Sequence, residues 1–245
     1  MAILEGNGVT KYFGGLAAVF NVDFHVEQGE VVGLIGPNGA GKTTLFNLIS
    51  AALCPKSGTI RFKGTDITGL KPYRICRMGV ARTFQTVKIF PNMAALQNVL
   101  MGSYFGMWPP ISSSDASIKA LEILEFVGLS RVKDAPARDL TLANQKRLEV
   151  ARALATHPEL LLLDEIMAGL NPAEVSQAME LILRIQAKGI TIIMIEHVMK
   201  AIMSLCDRIM VLHHGQKLDE GTPQEIAASE KVIRVYLGDR AHAGR

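Results

Sequence analysis

Long apolar runs are missing from this 245-residue chain, although 49% of it is hydrophobic and its mean hydropathy is +0.23. A membrane span needs about 18 to 20 uninterrupted apolar residues. The richest stretches, Leu160 to Leu163 and Ile190 to Ile195, are closed at once by Asp164 and Glu196. Both are strand-sized, so the chain is not expected to cross a membrane. Charge of one sign is also scarce: 26 basic residues face 23 acidic ones, a net +3, with no run of five or six like charges. That argues against a nucleic-acid-binding tail, and no nucleic acid partner is expected. Cys54, Cys76 and Cys206 are widely spaced, with no C-x-x-C pair or His-rich neighbour. Neither a disulfide framework nor a zinc site is suggested, and a reducing compartment is the default. The opening Met1-Ala2-Ile3-Leu4-Glu5-Gly6-Asn7-Gly8 has no basic stretch leading into a long apolar one, so a cytosolic location is expected. What the chain has in quantity is material for a core. At about 150 residues per domain, its length favours one large domain carrying a subdomain.

The apolar residues fall into two patterns. Phe20, Val22, Phe24 and Val26 alternate with the polar Asn21, Asp23 and His25, the period of a half-buried strand, so antiparallel strands are expected early in the chain. Val31-Val32-Gly33-Leu34-Ile35 is continuous, as are 160 to 163 and 190 to 195, the pattern of strands buried on both faces of a parallel sheet. Helical spacing accompanies the later strands, in Val175, Met179, Ile182 and Leu183, and in Met199, Ile202 and Met203. Such alternation implies an α/β fold around a mainly parallel sheet. Residues from about 87 to 132 show no buried-strand pattern. They hold a Gly, Pro and Ser-rich patch including Trp108-Pro109-Pro110, then a helix carrying Ile118, Leu121, Leu124 and Val127. A helical subdomain is therefore expected there, inserted into a body formed by 1–86 and 133–245. Beyond Gly221, Pro223 sits just inside a helix start, and no internal repeat is present.

Immediately after the first buried strand comes Gly36-Pro37-Asn38-Gly39-Ala40-Gly41-Lys42-Thr43-Thr44, which satisfies G-x4-G-K-[ST], with an apolar helix following. Its glycines let backbone N–H groups turn inward into an anion-binding nest, and the helix N-terminus adds partial positive charge. Lys42 would meet the β and γ phosphates and the Thr43 hydroxyl would ligate Mg²⁺. Such a loop needs a carboxylate at the end of a neighbouring strand, and Leu160-Leu161-Leu162-Leu163-Asp164-Glu165 supplies two. Asp164 is the expected metal partner, and Glu165 could orient or deprotonate the attacking water. His197 ends the next buried strand, the edge where α/β sheets collect ligands, and could donate to the γ phosphate. Gln85, in Ala81-Arg82-Thr83-Phe84-Gln85, could reach Mg²⁺ or the water.

Taken in order, these positions resemble the nucleotide-binding subunit of ATP-binding cassette transporters over essentially the whole chain. The P-loop lies at 36–44, the Q-loop at Gln85, the signature region at 140–147, Walker B at 160–165, the D-loop at 168–172 and the H-loop at His197. Met78 to Gln85, Ala168-Gly169-Leu170-Asn171-Pro172 and the ending Val232 to Gly238 resemble the ATPase subunits of branched-chain amino acid importers, a style shared with urea and other amide importers. The resemblance implies a P-loop NTPase of cassette type, with an N-terminal antiparallel β subdomain and the helical insert. It implies ATP and Mg²⁺ as ligands, hydrolysis of ATP, and a peripheral place on the cytoplasmic face of the membrane. The implied partners are a second ATPase subunit, two transmembrane permease subunits and, indirectly, an extracytoplasmic solute-binding protein. The family's adenine-stacking aromatic maps onto Phe13, with Tyr12 one register away, and either ring could serve.

The signature departs from the family pattern. Where the family has Leu-Ser-Gly-Gly-Gln, this chain has Leu140-Thr141-Leu142-Ala143-Asn144, followed by the expected Gln145, Lys146 and Arg147. Thr141 keeps the hydroxyl and Asn144 a polar side chain, whereas Leu142 must point away from the nucleotide for the backbone to approach it. A heterodimer with one stronger and one weaker site is the expectation. Ile166 replaces the usual proline after the Walker B glutamate, and Asn171 stands where the D-loop often has aspartate. Two rival classes share the P-loop. A P-loop kinase does not require the signature, D-loop and H-loop in this order. A soluble cassette protein acting on DNA or ribosomes usually needs tandem cassettes or a long coiled-coil insert, for which the length leaves no room.

Overall fold

The computed structural model of the chain describes residues 1–106 and 111–242. The Trp108-Pro109-Pro110 stretch lies outside the described residues. In chain order the elements are β1 (Ala2–Phe13), β2 (Leu16–Glu27), β3 (Val31–Ile35), α1 (Lys42–Ile49), β4 (Ser57–Phe62), β5 (Thr65–Asp66), α2 (Pro72–Arg77), β6 (Val80–Arg82), α3 (Ala95–Gly106), α4 (Ser113–Phe126), α5 (Leu142–Leu154), β7 (Leu160–Asp164), α6 (Pro172–Gln186), β8 (Thr191–Ile195), α7 (Met199–Leu205), β9 (Arg208–His213), β10 (Gln216–Gly221), α8 (Pro223–Ala228) and α9 (Glu230–His242). They group into two compact units, Met1–Pro72 with the chain from Thr191 onward, and Tyr73–Ile190.

In the first unit, β2, β1, β4 and β5 form an antiparallel sheet in that order. A second set runs β10-β9-β3-β8, with β3 parallel to both β8 and β9, and β10 antiparallel to β9. Every residue of β3 and β8 is buried, which is why their apolar residues run on instead of alternating. In β2 the expected alternation holds at Val22, Phe24 and Val26 but fails at Phe20, which is exposed. Asn21 adopts a left-handed conformation (φ 49°), and the pairing register to β1 shifts between Val9↔Val22 and Lys11↔Val19. The resulting bulge turns Phe20 outward and buries Val19 in its place.

In the second unit, β6 runs parallel to β7, and α3, α4 and α5 pack on one another. Three helical faces differ from the expected ones. On α4 the buried stripe is Ala116, Ala120 and Leu124, while Ile118 and Leu121 are exposed; on α6 it is Ala178, Leu181, Ile182 and Ile185, while Leu183 is exposed. On α7, in the first unit, Ala201, Ile202 and Leu205 face inward and Met199 outward. On α4 two alanines carry the contact, and a face drawn through the larger side chains is rotated away from it; on α6 and α7 a single alanine shares the contact with Leu and Ile. Helix α3 comes close to α5 at Gly102, where a Cβ would lie 2.5 Å from the Arg152 carbonyl oxygen. Among the described residues no helix is long and apolar enough to cross a membrane.

Candidate active site

The phosphate loop joins β3 to α1 and is shaped by its backbone. Gly36, Gly39 and Gly41 have φ of 148°, 78° and 104°. A Cβ on Gly36 would lie 2.1 Å from the Leu212 carbonyl oxygen, and one on Gly41 2.3 Å from that of Ala18, so both positions accept only glycine. Pro37 closes the turn by accepting the Ala40 N–H at 3.2 Å, with Asn38 and Gly39 exposed at its tip. The buried Lys42 ammonium donates to the carbonyls of Gly36 (2.6 Å) and Pro37 (2.9 Å), which holds it along the loop. Thr43 is exposed in the first turn of α1, with Thr44 half-buried behind it. That turn has no acidic residue, so the helix end keeps its partial positive charge for an anion. On α9, burial pushes the Tyr236 phenol above its ordinary value, with the Gly36 backbone opposing that in part. Phe13, at the end of β1, is 50% exposed and stands outside the core, whereas Tyr12 meets Phe20 edge-on at 6.4 Å. His197 is exposed just past β8.

The second unit carries the carboxylates. Asp164, the last residue of β7, is buried; it forms a 2.8 Å ion pair with Arg82 of β6, and its backbone N–H donates to the Thr83 hydroxyl at 3.1 Å. Glu165 follows in a left-handed conformation (φ 52°), an unfavourable one for a side chain of this type. Its carbonyl accepts the Lys146 ammonium at 2.8 Å, and its carboxylate accepts the Gln85 amide at 3.0 Å. Gln85 and Glu165, 80 residues apart in sequence, are thus brought into direct contact.

Thr141 is the N-cap of α5, its hydroxyl accepting the Asn144 N–H at 3.4 Å, a long bond. Ala143 is buried, and Leu142 is half-exposed, its Cδ2 so near Gly169 that a Cβ there would meet it at 3.1 Å. Leu142 therefore lies against the turn after β7.

Four further residues, Arg82, Lys146, Glu149 and Arg152, hold these groups in place and escape a reading of the sequence. Their signals were present: an arginine inside the apolar Val80-Ala81-Arg82, and charges at i, i+3 and i+6 of a helix whose other inward positions are apolar.

A family model described as "ABC transporter" matches residues 19–168, more than half of the chain, and one described as "Branched-chain amino acid ATP-binding cassette transporter" matches residues 220–242. The high-affinity branched-chain amino acid transport ATP-binding protein BraF of Pseudomonas aeruginosa is 40% identical, the alignment covering 97% of this chain and 98% of that protein. The protein of the same description named LivG, from Escherichia coli K12, is 42% identical with the same coverage. A solved nucleotide-free ATP-binding cassette from an ABC transporter superposes with a TM-score of 0.87 at 33% identity, covering 96% of this chain and 99% of that one. The ADP conformation of such a cassette gives 0.87 and 33%, covering 97% and 99%. With a strand-borne phosphate loop, a buried aspartate and a glutamine-bonded glutamate set along one chain, and with likeness of this extent, the chain belongs to the ATP-binding cassette family and is a transporter ATPase.

Proposed function

We propose that this ATPase energises an importer of branched-chain amino acids or related small polar solutes. The observation that carries the reading is the 40–42% identity, over 97% of the chain, to proteins named for branched-chain amino acid transport. The match of residues 220–242 to a model of the same description adds to it. Membership of the family implies a second cassette and membrane permease partners. The finer assignments are our own: two permease subunits, an extracytoplasmic binding protein that supplies the solute, a place on the cytoplasmic face of the membrane, and residues 87–132 as the part that meets the permease.

Hydrolysis follows from the residues in hand. The N–H groups of Asn38, Gly39 and Gly41 and the Lys42 ammonium hold the β and γ phosphates, and Phe13 stacks on the adenine. Thr43 would offer Mg²⁺ a hydroxyl, Asp164 a carboxylate and Gln85 an amide oxygen, each a hard donor of the kind that ion takes. Bound there, Mg²⁺ would supply positive charge to offset that of the phosphates. Glu165 accepts a proton from the water whose oxygen bonds to the γ phosphorus as the bond to the ADP oxygen breaks, Gln85 orients Glu165, and His197 donates to the γ phosphate.

The altered signature supports a heterodimer. Leu142 leaning on Gly169 leaves Thr141 and Asn144 at the helix end to meet the partner's nucleotide, without the two glycines that would let the backbone come close. ATPase rates of the chain alone and with its cognate partner test this; full activity as a homodimer would count against it. Uptake of labelled leucine, isoleucine and valine should fall when the chain is deleted and return with the wild type but not with Glu165→Gln, while urea uptake stays unchanged. In Glu165→Gln, ATP binding should persist and turnover drop about 10³-fold. Loss of urea uptake alone would move the assignment to the amide importers.

A further inference from the structure

Helix α5 carries three charged residues at i, i+3 and i+6, and all three grip backbone rather than solvent. Lys146 and Glu149 are buried, 7% and 5% exposed, and Arg152 is half-buried. One oxygen of the Glu149 carboxylate accepts the N–H of Lys88 at 2.9 Å and that of Phe84 at 3.3 Å. These two residues flank Gln85, so a single side-chain atom closes the loop on which the glutamine sits. Arg152 donates to the Lys88 carbonyl and lies 4.7 Å from the centre of the Phe90 ring. Lys146 holds the Glu165 carbonyl at 2.8 Å. One helix therefore fixes the backbone on both sides of the 3.0 Å bond between Gln85 and Glu165. Burial pushes the Glu149 acid above its ordinary range, and the N–H groups of Lys88 and Phe84, followed by the charges of Arg152 and Lys146, oppose that only in part.

We propose that Lys146, Glu149 and Arg152 are positioning residues for ATP hydrolysis, a clamp that sets Gln85 against Glu165 and carries movement of the signature residues Thr141 to Asn144 into that pair. The proposal rests on the reading of Gln85 and Glu165 as hydrolytic residues. Because Thr141 caps the same helix, displacement of its N-terminus by a partner's nucleotide reaches the loop through side chains two and three turns further along.

The test compares Glu149→Asp, which keeps the charge but withdraws the oxygen by one methylene, with Glu149→Gln, which keeps the reach. Both are measured in the purified transporter complex. The Asp variant should lose about 10-fold or more in kcat with the KM for ATP within about two-fold, since misplacement of about 1 Å is enough for such losses. The Gln variant should keep at least about half of wild-type kcat, because its amide oxygen can accept the same two N–H groups. Wild-type turnover in the Asp variant, or equal losses in both, overturns the proposal. Amide hydrogen exchange on the wild-type chain is an independent arm: Phe84 and Lys88 should be protected, and free exchange there would also overturn it. Glu165→Gln, assayed alongside, separates the two levels. Normal turnover in that variant removes the hydrolytic reading itself, whatever the Glu149 variants do.

Discussion

Two loops in this chain follow buried strands, and they are held in opposite ways. The phosphate loop after β3 takes its shape from its own glycines and from carbonyls packed so close that no side chain fits. The glutamine loop after β6 takes its shape from side chains brought in from distant sequence. Glu149 and Arg152 come from α5, and the fully buried Asn98 of α3 accepts the Phe90 N–H at 2.8 Å and donates to the Phe90 carbonyl at 3.0 Å. A backbone-built loop suits a ligand whose charge and shape never vary. A loop held by side chains on two helices moves when those helices move, which suits a residue that has to respond to events elsewhere.

Substitutions that reverse this difference should separate the two loops. The largest effect is expected at Gly36→Ala, where the new methyl group meets the Leu212 carbonyl; stability should fall by about 3 kcal/mol in denaturant unfolding, and nucleotide binding should go with it. Asn98→Ala should cost about 1 to 2 kcal/mol by removing a fully buried amide that bonds the part-buried backbone of 90–94 and by taking the partner from the Phe90 N–H, yet ATP affinity should hold while kcat falls. Equal losses of binding in both variants would erase the contrast. The smallest effect concerns pH. The Glu149 acid is raised in the folded chain, so its contribution to stability is fully present below the ordinary carboxyl value of 4.5 and is lost as pH rises through the folded value. Glu149→Gln removes that dependence, and its melting temperature should gain on the wild type as pH is raised from about 4 to 7. A constant difference across that range would show that the carboxylate is not penalised by burial.

The same contrast explains what could be read from the sequence. β3, β7 and β8 announce themselves because burial on both faces leaves unbroken apolar runs, and the glycines and lysine after β3 have fixed spacing because the backbone itself makes the site. Contacts carried by small or charged residues were hidden. Ala116 and Ala120 bury α4 without standing out as hydrophobic, so the eye follows Ile118 and Leu121 to the wrong side. Arg82 and Glu149 look like surface charges in one dimension, and only the fold shows that each faces a specific partner. The bulge at Asn21 was likewise invisible, since a one-residue slip depends on the pairing strand and not on the local pattern.

The left-handed backbone of Glu165 sets stability and activity against each other at a single position. Glycine tolerates that conformation where glutamate does not, so Glu165→Gly should relieve strain on the order of 1 kcal/mol, less whatever the lost bond to Gln85 contributes, while abolishing turnover. A chain selected only for resistance to heat would drift toward losing its base, and directed evolution for thermostability would have to screen for hydrolysis in every round.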